Sequence, residues 1–220
     1  LLQRCYESAL TARELARAVT KNEVAPLGVA VSNTVNLEPF MAPLSELFRS
    51  FQGLQLRIQH GPAARLLEEL KGGNYDLAIA SAVDDGWERL DRWPLFTEGF
   101  EIALPSNHPL ARQNRITVPE LAGQPLMKQT GCEDRPAVER WFAERGGALA
   151  SSHEYDSHHD LKALLQASSG VAIVPSSAPQ FSDVKRAPLE GLDVTRVVYV
   201  YAVAGRLRSA PAAAFLNLLR

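Results

Sequence analysis

The chain has 220 residues, with 23 Lys and Arg against 25 Asp and Glu, 46% apolar residues, 14 Gly, 14 Pro and 2 Cys. These values exclude a disordered tail, a collagen-like repeat and a disulfide scaffold, and the length admits one large domain or two lobes of about 100 residues each. A net charge of −2 excludes a strong polyanion-binding surface, because non-specific DNA affinity follows the number of phosphates neutralised.

The first 23 residues predict a helix. Leu1, Leu2, Cys5, Ala9, Ala12, Ala16 and Val19 recur at steps of three and four, with Arg4, Glu7, Arg13, Glu14 and Arg17 between them. Two readings stand: a helix packed on its own domain, or a seam that pairs with a second copy. The opening Leu-Leu-Gln-Arg-Cys has no Met, no basic n-region and no long apolar h-region, so a fragment or processed piece is expected rather than an intact secretory precursor. Cys5 and Cys132 form no metal or redox pair by spacing, and a reducing cytoplasm is the expected location.

Pro26 breaks the helix. Leu27 to Val31 is then a short apolar run of the buried parallel-strand type. Asn36 to Phe51 has helical spacing through Leu37, Phe40, Leu44, Leu47, Phe48 and Phe51; Leu54, Leu56 and Ile58 alternate as a strand. Pro62 leads into a helix over Ala63 to Lys71, closed by Gly72-Gly73, and Tyr75 to Ala80 is a third strand. The order β-α-β-α-β predicts a parallel sheet with right-handed crossovers. Phe100 to Pro105 is a strand and Ser106 to Pro109 a turn. A second α/β block follows: a short helix at Val118 to Leu121, a strand at Pro125 to Lys128, and a helix over Ala137 to Arg145 capped by Gly146-Gly147. A further helix over His159 to Ala167 has Gly170 as its expected C-terminal glycine, and Val171 to Val174 is a strand stopped by Pro175. Val197 to Val203 and Ala210 to Arg220 remain as a late strand and terminal helix. Returned to the first lobe, they make the chain cross between lobes twice. Strand-sized runs such as Val197 to Val203 are far short of the roughly 20 residues a bilayer span requires, so no membrane partner is expected.

Three segments together resemble LysR-type transcriptional regulators. Leu95 to Pro105 followed by Asn107-His108-Pro109-Leu110-Ala111 is similar to a strand and HPLA turn of that family. Ser168-Ser169-Gly170-Val171-Ala172-Ile173-Val174-Pro175 and Tyr75-Asp76-Leu77-Ala78-Ile79 match two of its other elements in order and spacing. The resemblance covers about residues 26 to 220 and implies an α/β, two-lobed fold of the type 2 periplasmic-binding-protein kind with two crossover strands, preceded by a linker helix. It implies a linker at 1–25, lobe I at 26–100 and 199–220, and lobe II at 101–198. It also implies an effector-sensing and oligomerisation domain whose DNA contacts belong to an absent N-terminal winged helix-turn-helix. The expected partners are a small-molecule effector in the cleft and a second copy, as homodimer or homotetramer. The dimer would pair the helix near 37–51 antiparallel with the partner's helix near 136–146, with Arg49, Arg140 and Trp141 on that surface. A transporter's solute-binding protein and, further off, an enzyme on the same fold are the alternatives.

In open α/β sheets ligands sit beyond the carboxyl ends of strands, near helix N-termini. Ser32, Asn33 and Thr34 follow the first strand, and two readings apply: helix capping or effector contact; the family resemblance implies the second. Ser81 and Thr97 join them as cleft candidates. The corresponding loop of lobe II is Gln129 to Asp134, whose Thr130, Gly131 and Cys132 are candidates, followed by Tyr155 and Ser157, the latter an expected N-cap. Cys132 has three readings: a redox thiol as in the family's peroxide-sensing branch, an effector-lining side chain, or an ordinary loop residue. Arg135 and a helix N-terminus favour its thiolate, but no resolving cysteine follows it. His153, His158 and His159 offer no i, i+4 pair, so no metal is expected; no catalytic motif and no cofactor loop is present, and no enzyme is expected.

Overall fold

A computed structural model describes residues 25–82, 89–147, 151–168 and 170–220. The expected linker helix lies outside the described residues. Two five-stranded sheets organise the rest, with strand orders β2-β1-β3-β10-β4 and β7-β6-β8-β5-β9.

In the first sheet β1 (Ala25–Ser32) is central, paired in parallel with β2 (Leu54–Gly61) and β3 (Leu77–Ser81). Its alternate residues face two cores. Val29 and Val31 join Ile79, Val198 and Val200 under α1 (Met41–Ser50) and α6 (Ala210–Leu219). Ala30, Ala78 and Ala80 face the other way, against Leu66, Leu67 and Leu70 of α2 (Ala63–Gly72). The small side chains on that face let α2 approach closely, and each of its buried leucines contributes about 2 kcal/mol. Gly73, at φ +85°, ends α2, and the Arg206 guanidinium donates to the carbonyls of Leu70 and Lys71 in its last turn. The helix expected over 36–51 is a single 3-10 turn at Glu38–Phe40 followed by α1.

The sheet is mixed rather than parallel throughout. β10 (Arg196–Val203) lies antiparallel between β3 and β4 (Leu90–Glu98). Gly99 carries the chain from β4 into β5 (Phe100–Pro105) of the second sheet. The return falls between β9 (Val184–Ala187) and β10. Arg196, Val197 and Val198, expected in the second lobe, therefore pair with β4 in the first sheet, because β10 starts opposite Glu98.

The second sheet is built likewise. β6 (Leu126–Gln129) runs parallel to β7 (Ser151–Tyr155) and β8 (Val171–Pro175), while β5 is antiparallel to β8 and β9. One face packs on the short α3 (Val118–Leu121) and on α4 (Arg135–Glu144), the other on α5 (His158–Ser168). Gly170 does not cap α5 with a left-handed turn. It sits where the chain passes the Pro125 carbonyl, and a Cβ there would lie 2.7 Å from that oxygen.

Candidate functional site

The carboxyl ends of β1 and β3 in the first sheet face the loop after β6 in the second. Ser32, Thr34 and Ser81 are fully buried at this junction, although each carries a hydroxyl. A tight turn in which the Val35 amide donates to the Ser32 carbonyl (2.9 Å) sets the loop, and the Thr34 amide donates to Ser32 Oγ (3.3 Å). α1 begins only at Met41 and takes no side-chain cap, so the capping alternative for Ser32, Asn33 and Thr34 is not realised.

These hydroxyls are instead spent across the cleft on carboxylates. Ser32 Oγ donates to Glu133 Oε1 at 2.6 Å and Thr34 Oγ1 to Glu133 Oε2 at 3.0 Å, so one carboxylate is gripped by both oxygens. Ser81 Oγ donates to Asp134 Oδ1 at 2.8 Å. Asn33 Nδ2 and Thr130 Oγ1 converge on Asp156 Oδ1, at 2.6 and 3.0 Å, and Gln129 Nε2 donates to the Asn33 carbonyl at 2.9 Å. Gly131 brings the loop backbone against Pro62: it has φ +67°, and a Cβ there would meet Pro62 Cβ at 3.1 Å.

One cation anchors this junction. The Arg196 side chain is wholly buried; its Nη2 and Nε lie 2.8 and 2.9 Å from Glu98 Oε1, and its Nη1 3.4 Å from Asp134 Oδ2. It also donates to Thr34 Oγ1 (3.0 Å) and to the Thr34 carbonyl (2.9 Å). Glu98 in turn accepts from the Ser177 amide (2.6 Å) and hydroxyl (3.0 Å). Among the described residues Glu133 has no such cation as a hydrogen-bond partner. Burial pushes its carboxyl above the usual range, opposed by the hydrogen bonds from Ser32, its own amide and Thr34, and reinforced by Asp134.

Cys132 is partly buried, and its thiol is pushed up to about 11 by burial and by the charges of Glu133 and Asp134. The nearby acids outweigh Arg196, so the thiolate expected from a basic surrounding is disfavoured. The Sγ and the Glu133 and Asp134 carboxylates lie within 4.8 Å of one another. Both carboxylates are already engaged by hydroxyls or Arg196.

Beside this network a cavity of about 370 Å³ is lined by Asn33, Val35, Asn36, Leu37, His60, Asp156, Ser157 and His158. Ser157 caps α5, accepting from the Asp160 amide at 3.1 Å. His158, the first residue of α5, has both ring nitrogens buried without a hydrogen-bond partner. Burial, with the charges of Arg196, Arg186 and His60, lowers its pKa to about 4, so near neutrality it is an uncharged ring with one donor and one acceptor to offer. His60 is also lowered by burial.

Three residues sit otherwise than expected. Thr97 is exposed, and strand alternation gives the inner position to Glu98. Tyr155 is a core residue of the second lobe: its side chain packs with Leu161, Leu165 and Val174, and only its backbone carbonyl meets Thr130. Trp141, expected on a surface, is buried edge-on against Phe142 at 5.1 Å. Conversely, the sequence does not mark Glu98, Glu133, Asp134, Asp156, His60, His158 and Arg196 as site residues, yet the structure brings them to the junction. Asp156 beside Ser157, at a strand end before a helix, carried the one signal that position alone provides.

Two α/β sheets joined by two crossings around a polar cleft define a two-lobed fold of the periplasmic-binding-protein kind. The family profile described as the LysR substrate binding domain matches residues 21–220, and the chain belongs to that family. A hydrogen peroxide-inducible genes activator of Haemophilus influenzae is 29% identical over 171 residues, covering 76% of this chain and 55% of that protein. The RuBisCO operon transcriptional regulator of Allochromatium vinosum is 26% identical over 67% of this chain and 49% of its own length. The chain thus spans about half the length of the curated relatives it matches. Among solved structures, the effector binding domain of QuiR in complex with shikimate superposes with a TM-score of 0.76 at 18% identity, covering 89% of this chain and 95% of that one. The regulatory domain of Synechocystis CcmR in complex with 2-PG does so at 0.74 and 20%, covering 88% and 95%. CbnR, a LysR family transcriptional regulator, gives 0.77 at 17%, covering 99% and 76%. At these identities the structural likeness speaks to the fold.

Proposed function

We propose that this domain is the sensing half of a LysR-type transcriptional regulator acting in the bacterial cytoplasm, and that it binds a small-molecule effector in the cleft between the two sheets. The observation that carries this is the convergence of three fully buried hydroxyls, those of Ser32, Thr34 and Ser81, at the strand ends, beside a cavity of about 370 Å³. Those hydroxyls donate to the Glu133 and Asp134 carboxylates across the cleft, so the strand ends are already arranged for an acidic acceptor. Residues 25–98 with 196–220 act as one lobe and 100–187 as the other. Ser32, Asn33, Thr34, Ser81, Thr130, Gly131 and Ser157 form the effector-responsive rim. An effector that prefers one lobe arrangement shifts its population, and contacts between copies relay the change to DNA-binding segments. The relatives are regulators, which weighs against the transporter and enzyme alternatives.

Peroxide sensing of the kind named in the Haemophilus relative fits this chain less well. The Cys132 thiol is held at about 11, and the only other cysteine in the sequence is Cys5. A thermal-shift screen of small metabolites tests the proposal, since a ligand that binds only the folded state raises Tm. A hit whose shift is abolished in Ser32→Ala and Thr34→Val supports the cleft; a hit indifferent to both substitutions overturns it.

A further inference from the structure

The Glu133 grip has an unusual feature. A carboxylate from one lobe is held by two buried hydroxyls of the other, Ser32 and Thr34, one to each oxygen, while Arg196 bonds Glu98, Asp134 and Thr34 instead. Three further links share that polarity: Ser81, Asn33 and Arg196 donate, and Asp134 and Asp156 accept. Gln129 and Ser177 donate the other way, to the Asn33 carbonyl and to Glu98. The β1 side thus presents a preformed carboxylate receptor, and the Gln129 to Asp134 loop supplies its occupant.

We infer that Glu133 is a built-in competitor: it occupies the subsite that an effector's carboxylate takes, and the effector binds by displacing it. Three features support this. The two donors are fully buried, and their oxygens lie 3.1 Å apart, close enough for both to reach one carboxylate, as they reach Glu133. Among the described residues no cation bonds Glu133, and it is desolvated where it sits, so release to water returns hydration that the two hydroxyls replace only in part. The loop that carries it also carries Gly131, whose left-handed backbone rests on Pro62, so withdrawal of Glu133 and loosening of the lobe contact are movements of one segment. The effector class is accordingly a small carboxylate, and the effector-free protein is held shut by its own side chain. This inference rests on the cleft being the effector site.

The test is replacement of the missing carboxylate by a free one. Glu133→Ala removes the occupant and leaves both donors; acetate, succinate and benzoate serve as probes, with acetamide, succinamide and benzamide as neutral counterparts. At constant ionic strength and pH 7.5, at least one of the three acids is expected to raise the Tm of Glu133→Ala with a half-saturating concentration at least tenfold below that for the unmodified protein. The matching amide has no effect, and adding Ser32→Ala and Thr34→Val to Glu133→Ala abolishes the response. Glu133→Gln, which keeps the shape and can still accept one hydrogen bond, controls for folding and is expected to respond in between. Equal responses of Glu133→Ala and the unmodified protein to all three acids, or a response that survives loss of both hydroxyls, overturns the inference. The two proposals separate cleanly. A metabolite that binds the unmodified cleft, with an affinity that Glu133→Ala leaves unchanged, preserves the effector site and refutes the competitor. Acetate binding to Glu133→Ala with no metabolite recognised by the unmodified cleft shows an anion receptor alone and overturns both.

Discussion

Glu98 and Arg196 are partners in register, the last residue of β4 opposite the first of β10, and their side chains are joined by an ion pair of 2.8 Å at the place where the chain passes between sheets. The pair is buried on both sides, with Arg196 at 0% and Glu98 at 6% side-chain exposure. Removing one member leaves a buried charge uncompensated, whereas the net worth of an intact pair is small. Arg196→Met is therefore expected to lower the stability measured by urea unfolding by about 3–5 kcal/mol. Arg196→Met with Glu98→Gln is expected to lose less than the single change; an equal or larger loss in the double variant would show that the pair is not what matters there.

Cys132 is expected to be slow. With its thiol at about 11 against about 8.5 for a free cysteine, the thiolate fraction near pH 8 falls on the order of 100-fold. In a Cys5→Ser background, reaction with a thiol reagent at pH 8 is expected to be slower than that of free cysteine by this order. A rate at or above that of the free thiol would restore the redox alternative.

Gly131→Ala places a methyl against Pro62 at a backbone angle that side chains rarely adopt. A loss of about 1–2 kcal/mol is expected in chemical denaturation. The amides facing the cleft should also exchange hydrogen faster, because the strain falls on the contact between lobes. Unchanged exchange in the Gln129 to Asp134 loop would place the strain elsewhere.

His158 sets an acid-side slope. Its folded pKa is about 4 against about 6.5 unfolded, so below 6.5 the unfolded chain takes up a proton that the folded one refuses, and stability falls as pH drops from 6.5 towards 4. Glu133, raised by burial, has the opposite sign: stability falls as pH rises from the ordinary carboxylate range through its folded pKa. His158→Gln is expected to flatten the drop in Tm between pH 6.5 and 4 while leaving Tm at pH 8 within a few degrees. An unaltered slope would assign the acid sensitivity to His60 or Glu120, whose pKa values are also lowered.

On α1, Met41 and Phe48 are 54% and 52% exposed, and with Ser45 they form one stripe. If that stripe meets a second copy, Phe48→Glu weakens self-association at least tenfold in sedimentation equilibrium without lowering Tm. Association that is present and unaffected by the change would move the interface off α1.

Residues buried on both sides announced themselves. β1, β3, β8 and β10 are apolar runs, and their neighbouring helices carry a clear three-and-four spacing. The strands that escaped, β4, β7 and β9, are all sheet edges. β4 reads Leu-Asp-Arg-Trp-Pro-Leu-Phe-Thr-Glu, with a proline that only an edge tolerates, and β7 reads Ser-Ser-His-Glu-Tyr. With one partner and a solvated face, such strands need no apolar alternation. Trp141 was legible in principle, since Val138, Trp141 and Phe142 share one helix face. Hydroxyls at the strand ends were found by position, but their carboxylate partners were not, because Glu133 lies about a hundred residues from Ser32 and nothing local ties an acid to that place. Arg196 was hidden the same way: its role depends on β10 returning to the first sheet.

That return also fixes an order of assembly. The second sheet is closed by strands contiguous in the chain from β5 to β9, whereas β4 has β10 as its sole neighbour in the first sheet, and the joining pair is separated by 98 residues. During synthesis from the amino end, the second lobe can complete its pairing while β3 and β4 still lack the strand that lies between them. The exposed edges of β3 and β4 are then the vulnerable stage of folding, and Arg196, the first residue of β10, reaches Glu98 as that stage ends.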